Sequence, residues 1–357
     1  IENLKFFSIQ KNNILNQLNS NISYSSISLS PSNSFFQLIN FITLFTFVLI
    51  IKMIFYTERH KFRFYIFLSF LGAFSSFMAV LLYLKGNPDL FFIKNSFYKD
   101  SSTGFFINRT VFSLFLLFCL VGSLQYLKKY NNENNKDNNK IFFKKIYVRI
   151  FVIFICIGII TSSSRIGNFL LLLTLFYYLI QSYFINNQQN TSFRNIVFLI
   201  LFFDILIVGY YFGTDQLIQR FLFLNEEFLI SKTEDQNLSR LQIINFGLEN
   251  IKKFYLFGYG PGSFETLFQI DYSNTEENFA NHAHSSLIQF IGEFGFIGFT
   301  LLILSIFKFF LHKIFFDKLN ILLLVFLFVL LSFDFSLHIP LIQILFIIFF
   351  ISNKKIE

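Results

Sequence analysis

Two of the chain's five histidines lie in one short polar segment, Asn281 to Ser286, directly ahead of an apolar run. His282 and His284 are two positions apart with no further ligand nearby, which is poor spacing for a zinc site. Imidazole titrates near neutral pH, so a general base is the better functional interpretation, with a pair of surface histidines as the alternative. Glu293 lies within the following apolar run. A carboxylate is costly there, so we expect it to be paired or to face a water-filled cavity.

Arg165 lies between two apolar runs, in the segment Thr161-Ser-Ser-Ser-Arg-Ile-Gly167. One interpretation is an arginine at a helix end that reaches the lipid headgroups. The other is an anion site, because hydroxyl groups and the N-terminus of the following helix would surround a bound anion with hydrogen-bond donors.

A long polar stretch, residues 214–285, separates two groups of apolar runs. Arg220 and Arg240 flank its apolar parts. Helical periodicity over 238–256 predicts a helix; the residues on its apolar face are Leu241, Ile244, Leu248 and Ile251. The segment Gly258-Tyr-Gly-Pro-Gly-Ser263 predicts a sharp turn, because glycine tolerates positive φ and proline fixes φ.

These residues are positioned by long apolar runs, which predict an all-α integral membrane protein. About 20 apolar residues span a bilayer as a helix, and the runs lack the period-two alternation of barrel strands. We predict about nine spans: 35–56, 64–84, 106–127, 146–162, 166–185, 195–213, 286–311, 317–333 and 338–352. Asp334 marks the last outer turn, and Pro340 is a plausible helix start.

Lys and Arg in the short loops predict the orientation, because they concentrate on the cytoplasmic side. The links 57–63 and 128–145 are rich in them, whereas 214–285 holds 10 of the 21 acidic residues and only 5 Lys or Arg. We therefore predict an outer N-terminal segment (1–34), a first helical block (35–213), an outer catalytic loop (214–285) and a last helical block with a cytoplasmic tail (286–357). An outer N-terminus also suggests a truncated start, with at least one helix ahead of Ile1.

Composition excludes several classes. Only 14% of the residues are charged, against roughly 25% in soluble domains, so an ordinary cytosolic enzyme is disfavoured. The net charge of +8 follows the predicted topology and does not form the basic surface of a nucleic-acid binder. The two cysteines match no metal or redox spacing.

Several segments, in order, resemble the O-antigen ligase and O-antigen polymerase superfamily of bacterial inner-membrane glycan transferases. His284-Ser285, nine residues, Gly295, two residues and Gly298 are similar to the ligases' His-containing motif. Further matches are Arg165 in its Ser-Arg-Ile-Gly turn, Gly104-Phe-Phe-Ile-Asn108, Arg240 with Phe257-Gly-Tyr-Gly-Pro-Gly-Ser-Phe264, and Asp334-Phe…Pro340. Ser285 and Ile166 depart from the commoner residues at their positions.

The resemblance implies transfer of a glycan from undecaprenyl diphosphate to a sugar hydroxyl of lipid A–core, on the periplasmic face of the inner membrane. It implies catalytic roles for His284 as general base and for Arg165 and Arg240 at the diphosphate. Substrate-binding roles are expected for Arg220, His282, Ser285, Glu293 and Asn108. No cofactor, metal or nucleic-acid partner is implied; the partners are the lipid-linked donor, the glycan acceptor and membrane lipids.

Three alternatives remain open at this stage. The nearest is a polymerase that joins repeat units on the same lipid carrier, and the second is transfer to a protein acceptor. A transporter or flippase belongs to a different class and would use charged residues at mid-membrane with short loops. The sequence places its charge in one long loop instead, which favours an enzyme.

Overall fold

The computed structural model describes residues 28–55, 57–88, 101–132, 139–185, 240–272, 280–311 and 318–352, together with positions 195 and 198. Within these residues every regular element is helical and no strand occurs, which confirms the all-α prediction. The helices are α1 (Pro31–Ile54), α2 (Glu58–Leu84), α3 (Arg109–Asn132), α4 (Asn139–Thr161), α5 (Arg165–Ile185), α6 (Arg240–Lys253), α7 (Phe264–Asp271), α8 (Ser286–Leu311), α9 (Lys318–Phe333) and α10 (Pro340–Ser352). A 3-10 turn, Ser336–His338, precedes α10.

Helices coincide with all the predicted apolar runs except 195–213, which lies almost entirely outside the described residues. Among the described residues, four helical segments are long and apolar enough to cross a membrane: Pro31–Ile54, Glu58–Leu84, Arg109–Tyr130 and Ser286–Lys308. Three shorter apolar helices accompany them, at Arg165–Gln181, Leu319–Phe333 and Pro340–Ser352. The predicted count of about nine spans is not confirmed.

The chain divides into two compact units. The first, which we call the loop unit, comprises residues 1–49 and 219–338. The second, the bundle unit, comprises residues 50–218 and 339–357.

Helix α3 is the centre of the bundle unit and packs against α2, α4, α5 and α10. Its residues from Val111 to Leu120 are buried on every side, as expected for an apolar helix enclosed by others. The hydroxyl groups of Ser69 and Ser123 are 2.7 Å apart and join α2 to α3. Such small polar side chains allow helices to approach closely in a membrane.

Helix α8 is the centre of the loop unit and contacts α6, α7, α9 and the 3-10 turn. The predicted helix over 238–256 is confirmed as α6, but its buried face differs from the predicted apolar face. Ile243, Phe246, Gly247 and Asn250 are buried, whereas Leu248 is 44% exposed. The reason is tertiary: Ile243 and Phe246 join an aromatic core with Phe264 and Phe268 of α7.

Candidate functional site

Helix α8 is broken at Gly295, where φ is 66° and ψ is −175°. An irregular segment, residues 255–260, crosses the break and satisfies the backbone groups that the break exposes. The four backbone hydrogen bonds run from Tyr259 to Gly292 (3.0 Å), Gly260 to Glu293 (3.0 Å), Phe296 to Tyr255 (2.8 Å) and Ile297 to Leu256 (3.3 Å). A backbone break at membrane depth requires such partners, because unpaired N–H and C=O groups are costly in hydrocarbon.

The glycine-rich segment 258–263 forms the predicted turn. Gly258, Gly260 and Gly262 have φ values of 74°, 104° and 69°, a region that disfavours residues with a side chain. A Cβ atom at Gly258 would also meet the backbone of Gly292 and Glu293. Glycine is therefore required here both for its conformation and for the close approach to α8.

Glu293 is the acidic residue that connects this turn to α8. Its side chain is 5% exposed, and its Oε2 atom accepts a 2.9 Å hydrogen bond from the N–H of Gly262. The backbone of Phe264, the first residue of α7, contributes another hydrogen bond. A carboxylate is favourable at a helix N-terminus, where backbone N–H groups lack intrahelical partners. Glu293 is thus paired through hydrogen bonds, one of the two outcomes expected from the sequence.

Gln289 extends this network to the histidine segment. It is 3% exposed and lies one turn before Glu293, to whose Oε1 atom its Nε2 donates at 2.8 Å. Its Oε1 atom accepts a 3.2 Å hydrogen bond from the N–H of Ala283, and its side chain also bonds to His282. One glutamine therefore connects the glycine-rich turn, through Glu293, to His282 and Ala283.

Three histidines and one phenylalanine form an aromatic cluster at the start of α8. The ring of His282 stacks on Phe335 (centroids 5.3 Å apart, 15° between planes) and on His338 (4.9 Å, 17°). His284 meets the same Phe335 ring edge-on, at 5.6 Å and 80°. We call these four residues the histidine cluster.

His284 has a strained backbone, with φ of 55°. This left-handed conformation is uncommon for residues other than glycine and often occurs at functional sites. The network through Gln289 holds the peptide group between His282 and Ala283, one residue ahead of His284, since the N–H of Ala283 is bound.

Burial determines the charge state of the other two histidines in the cluster. Desolvation lowers the pKa of His282, and it lowers the pKa of His338 to about 4, with repulsion from His282 as a further cause. Both imidazoles are therefore neutral at pH 7. Within the described part of the chain, the buried atoms His282 Nδ1 and His338 Nε2 have no hydrogen-bond partner.

Ser285, Ser286 and Asp334 connect the start of α8 to the turn after α9. Ser285 Oγ accepts from the N–H of Ile288 at 3.5 Å and donates to the carbonyl of Leu331 at 3.3 Å. Ser286 donates to the carbonyl of Asp334 from its hydroxyl (2.7 Å) and from its N–H (3.2 Å). The structure thus gives Ser285, expected to bind substrate, a capping and connecting role.

The Arg165 turn lies in the bundle unit and contains the predicted hydroxyl groups. Ser164 Oγ accepts a 3.2 Å hydrogen bond from the N–H of Gly167 and so caps α5, whose first residue is the exposed Arg165. At the start of α3, Asn108 Oδ1 accepts from the N–H of Thr110 at 2.7 Å. The hydroxyls of Ser164 and Thr110 are 3.4 Å apart and join the two helix starts.

The structure brings together some of the predicted site residues. His282, His284, Ser285 and Glu293 lie in the loop unit, around the start of α8. Arg165 and Asn108 lie in the bundle unit, and Asn108 acts there as a helix cap. Arg240 begins α6, but its side chain, like all of Arg220, lies outside the described residues.

Sequence analysis assigned no role to three residues of this region: Gln289, Phe335 and His338. The signal for Gln289 was its position four residues before Glu293 within an apolar helix, a spacing that places the two side chains on one face. His338 carried no signal beyond its position at the start of the last predicted span, 338–352. Its proximity to His282 depends on a contact between segments 56 positions apart, so no local pattern predicts it.

The fold defines the class of the protein. It is a helical membrane protein in which helix α8 is broken and a cluster of polar residues lies at the start of that helix. Residues 150–303 match the family model described as O-antigen ligase, which confirms the resemblance to the O-antigen ligase superfamily. The matched segment contains Arg165, Arg240, the glycine-rich turn and the histidine segment. No curated protein and no solved structure matches the chain.

Proposed function

We propose that the protein is a membrane glycosyltransferase of the O-antigen ligase type. It transfers a glycan from undecaprenyl diphosphate to a sugar hydroxyl of lipid A–core, on the periplasmic face of the bacterial inner membrane. The observation that carries this proposal is the family match over residues 150–303, which contains the motif positions of Arg165, Arg240 and His284. A single segment thus supplies two cations and a titratable base.

The leaving group determines what the cations do in this mechanism. A lipid diphosphate departs with negative charge, and arginine offers bidentate hydrogen bonds to phosphate oxygens. We assign this role to Arg165 and Arg240, with Arg220 as a further contributor. Because the diphosphate is already a good leaving group, arginines suffice to stabilise it, and we propose a metal-independent reaction.

His284 is the proposed general base. It removes the proton from the acceptor hydroxyl as that oxygen attacks the anomeric carbon, while the bond from this carbon to the diphosphate breaks. Direct attack inverts the anomeric configuration. The strained backbone at His284 and the bound N–H of Ala283 support a fixed orientation for this base.

The deciding experiment is deletion of the gene in the source bacterium and complementation with wild type, His284→Ala or His60→Ala. We expect the deletion and His284→Ala strains to make core-only lipopolysaccharide and to accumulate long glycan on undecaprenyl diphosphate. The control residue His60 lies in α2 of the bundle unit, and we expect its variant to restore the profile.

The other outcomes identify the alternatives. Core bearing one repeat unit would indicate a polymerase. An unchanged lipopolysaccharide profile would contradict both functions and indicate another glycan or a protein acceptor. Loss of glycan export, with the lipid-linked glycan left on the cytoplasmic side of the membrane, would indicate a transporter.

A further inference from the structure

We propose that His282 and His338 form a binding subsite for hydroxyl groups of the acceptor sugar. This inference rests on the proposed function and adds to it a residue, His338, and a substrate class for this part of the site. It concerns the acceptor and not the lipid diphosphate.

The first observation is a pair of buried ring nitrogens that lack a protein partner. Buried polar atoms in proteins are nearly always hydrogen-bonded, so each exception calls for an explanation. Among the described residues, six buried side-chain atoms lack a partner, and two of them are His282 Nδ1 and His338 Nε2. The two rings are stacked with centroids only 4.9 Å apart, so the two exceptions occur side by side.

The second observation is that both rings are held in place. His282 is stacked on Phe335 as well as on His338, and its side chain is also bonded to Gln289. Gln289 in turn is fixed by Glu293 and by the N–H of Ala283. A half-turn of the His282 ring would keep the stacking but would break the hydrogen bond to Gln289. The nitrogens are therefore preorganised, which lowers the entropic cost of binding a ligand.

The chemistry of the pair indicates the kind of ligand. A neutral imidazole has one N–H donor and one acceptor nitrogen, and a hydroxyl group is both a donor and an acceptor. Neighbouring hydroxyls on a sugar can therefore pair with the two rings. Burial keeps both imidazoles neutral at pH 7, so they offer a phosphate no positive charge. The pair selects a neutral hydroxylated group over an anion.

The location of the pair connects it to the reacting hydroxyl. The proposed base, His284, contacts the same Phe335 ring on which His282 stacks. An acceptor sugar bound through one or two hydroxyls at the histidine pair would present a further hydroxyl to His284. His282 and His338 therefore position the acceptor, and they do not take part in proton transfer.

Steady-state kinetics with the purified full chain test this role. The assay uses an undecaprenyl-diphosphate-linked glycan as donor and purified lipid A–core as acceptor. His338→Phe and His282→Phe keep a flat ring and remove the nitrogens. Loss of one neutral hydrogen bond corresponds to about a tenfold weakening. We expect each variant to raise KM for lipid A–core by about that factor and to leave KM for the donor unchanged.

Two further variants make the result specific. His60→Phe, in the bundle unit, is expected to change neither KM. His338→Gln restores a polar side chain and is expected to recover part of the loss in acceptor KM. Acceptors in which single hydroxyls are replaced by hydrogen provide a measurement on the wild-type protein. We expect one such acceptor to have a higher KM than the complete acceptor with the wild-type protein. With His338→Phe, the same acceptor and the complete acceptor should have similar KM values.

The outcomes separate this inference from the proposed function. If the wild type is active, two results overturn the subsite alone: an unchanged acceptor KM in both phenylalanine variants, or no effect of any deoxy acceptor. A rise in donor KM in the phenylalanine variants also overturns it, because it would place the pair at the diphosphate. A fall in their kcat with acceptor KM unchanged overturns it as well, because it would place the pair at the base. A wild type without transfer activity overturns the proposed function and the subsite with it.

Discussion

The backbone N–H of Gly262 donates a 2.9 Å hydrogen bond to the carboxylate of Glu293, which lies in α8, 31 positions later in the chain. The glycine-rich turn and the broken helix are therefore one structural unit. Through Gln289, the same carboxylate is connected to Ala283 and thus to the histidine segment.

Glu293→Gln is expected to destabilise the protein. Both carboxylate oxygens accept hydrogen bonds, from Gly262 and Gln289, and an amide would place an N–H group against one of these donors. The cost of a buried unsatisfied group is about 1–3 kcal/mol. The melting temperature in detergent should fall accordingly. The exposed Glu249 of α6 provides the control: Glu249→Gln should have almost no effect. Equal melting temperatures for the two variants would contradict a structural role for Glu293.

Gly295→Ala is expected to prevent or severely impair folding. Its φ of 66° is strained for alanine, and the added Cβ would meet the carbonyl of Leu256. Gly86 separates these two causes, because its φ is 77° but nothing lies within 4 Å of an added Cβ. Gly86→Ala should cost only the backbone strain, about 1–2 kcal/mol. The measurement is the yield of monodisperse protein and its melting temperature. Similar results for both variants would show that the backbone contact at the break is not important.

Acidification is expected to destabilise the loop unit through His338. Its pKa is about 4 in the folded protein and near the ordinary 6.5 in the unfolded chain. Between these values the unfolded chain binds the extra proton, so stability decreases as the pH falls from 6.5 towards 4. His338→Phe removes this contribution. The melting temperature of the variant should therefore fall less steeply over this range than that of wild type. Parallel curves would contradict the buried, neutral state of His338.

Ser164→Ala is expected to weaken both the start of α5 and donor binding. Ser164 Oγ accepts from the N–H of Gly167, and the loss of such a cap costs about 1 kcal/mol. Because Arg165 is the first residue of that helix, we expect a higher KM for the lipid diphosphate donor. Ser305→Ala is the control, since Ser305 is exposed on α8 and its hydroxyl bonds to the carbonyl of Leu301. An unchanged donor KM in Ser164→Ala would argue that the cap does not position Arg165.

Local patterns predicted much of the fold. Pro340 begins α10, the amphipathic period over 238–256 corresponds to α6, and the glycines of 258–263 adopt the positive φ values that a sharp turn requires. Each of these features depends on residues close together in the sequence. For the site, residue type and position offered a general base in the His282–His284 segment and an anion site at Arg165, each beside an alternative. The resemblance then assigned these roles to His284 and Arg165.

The features that were not predicted depend on distant partners. The apolar run 286–311 has no charge pattern that marks a break, and the partners of the break lie at residues 255–260. The buried face of α6 depends on α7, since Phe246 packs on Phe264 and Phe268. His338 gained a role only through its contact with His282. Tertiary contacts decide these features, so periodicity could not reveal them.

The break in α8 also has a consequence for how the chain is made. Residues 255–260, which satisfy the exposed backbone groups at the break, precede α8 in the sequence. During synthesis they leave the ribosome first, so the partners already exist when Gly292 to Ile297 enter the bilayer. We therefore expect the interrupted helix to insert with partners already at hand for its exposed peptide groups, because unpaired peptide groups are costly in lipid. A permuted chain with residues 255–260 after α8 would lose this advantage and should insert less efficiently.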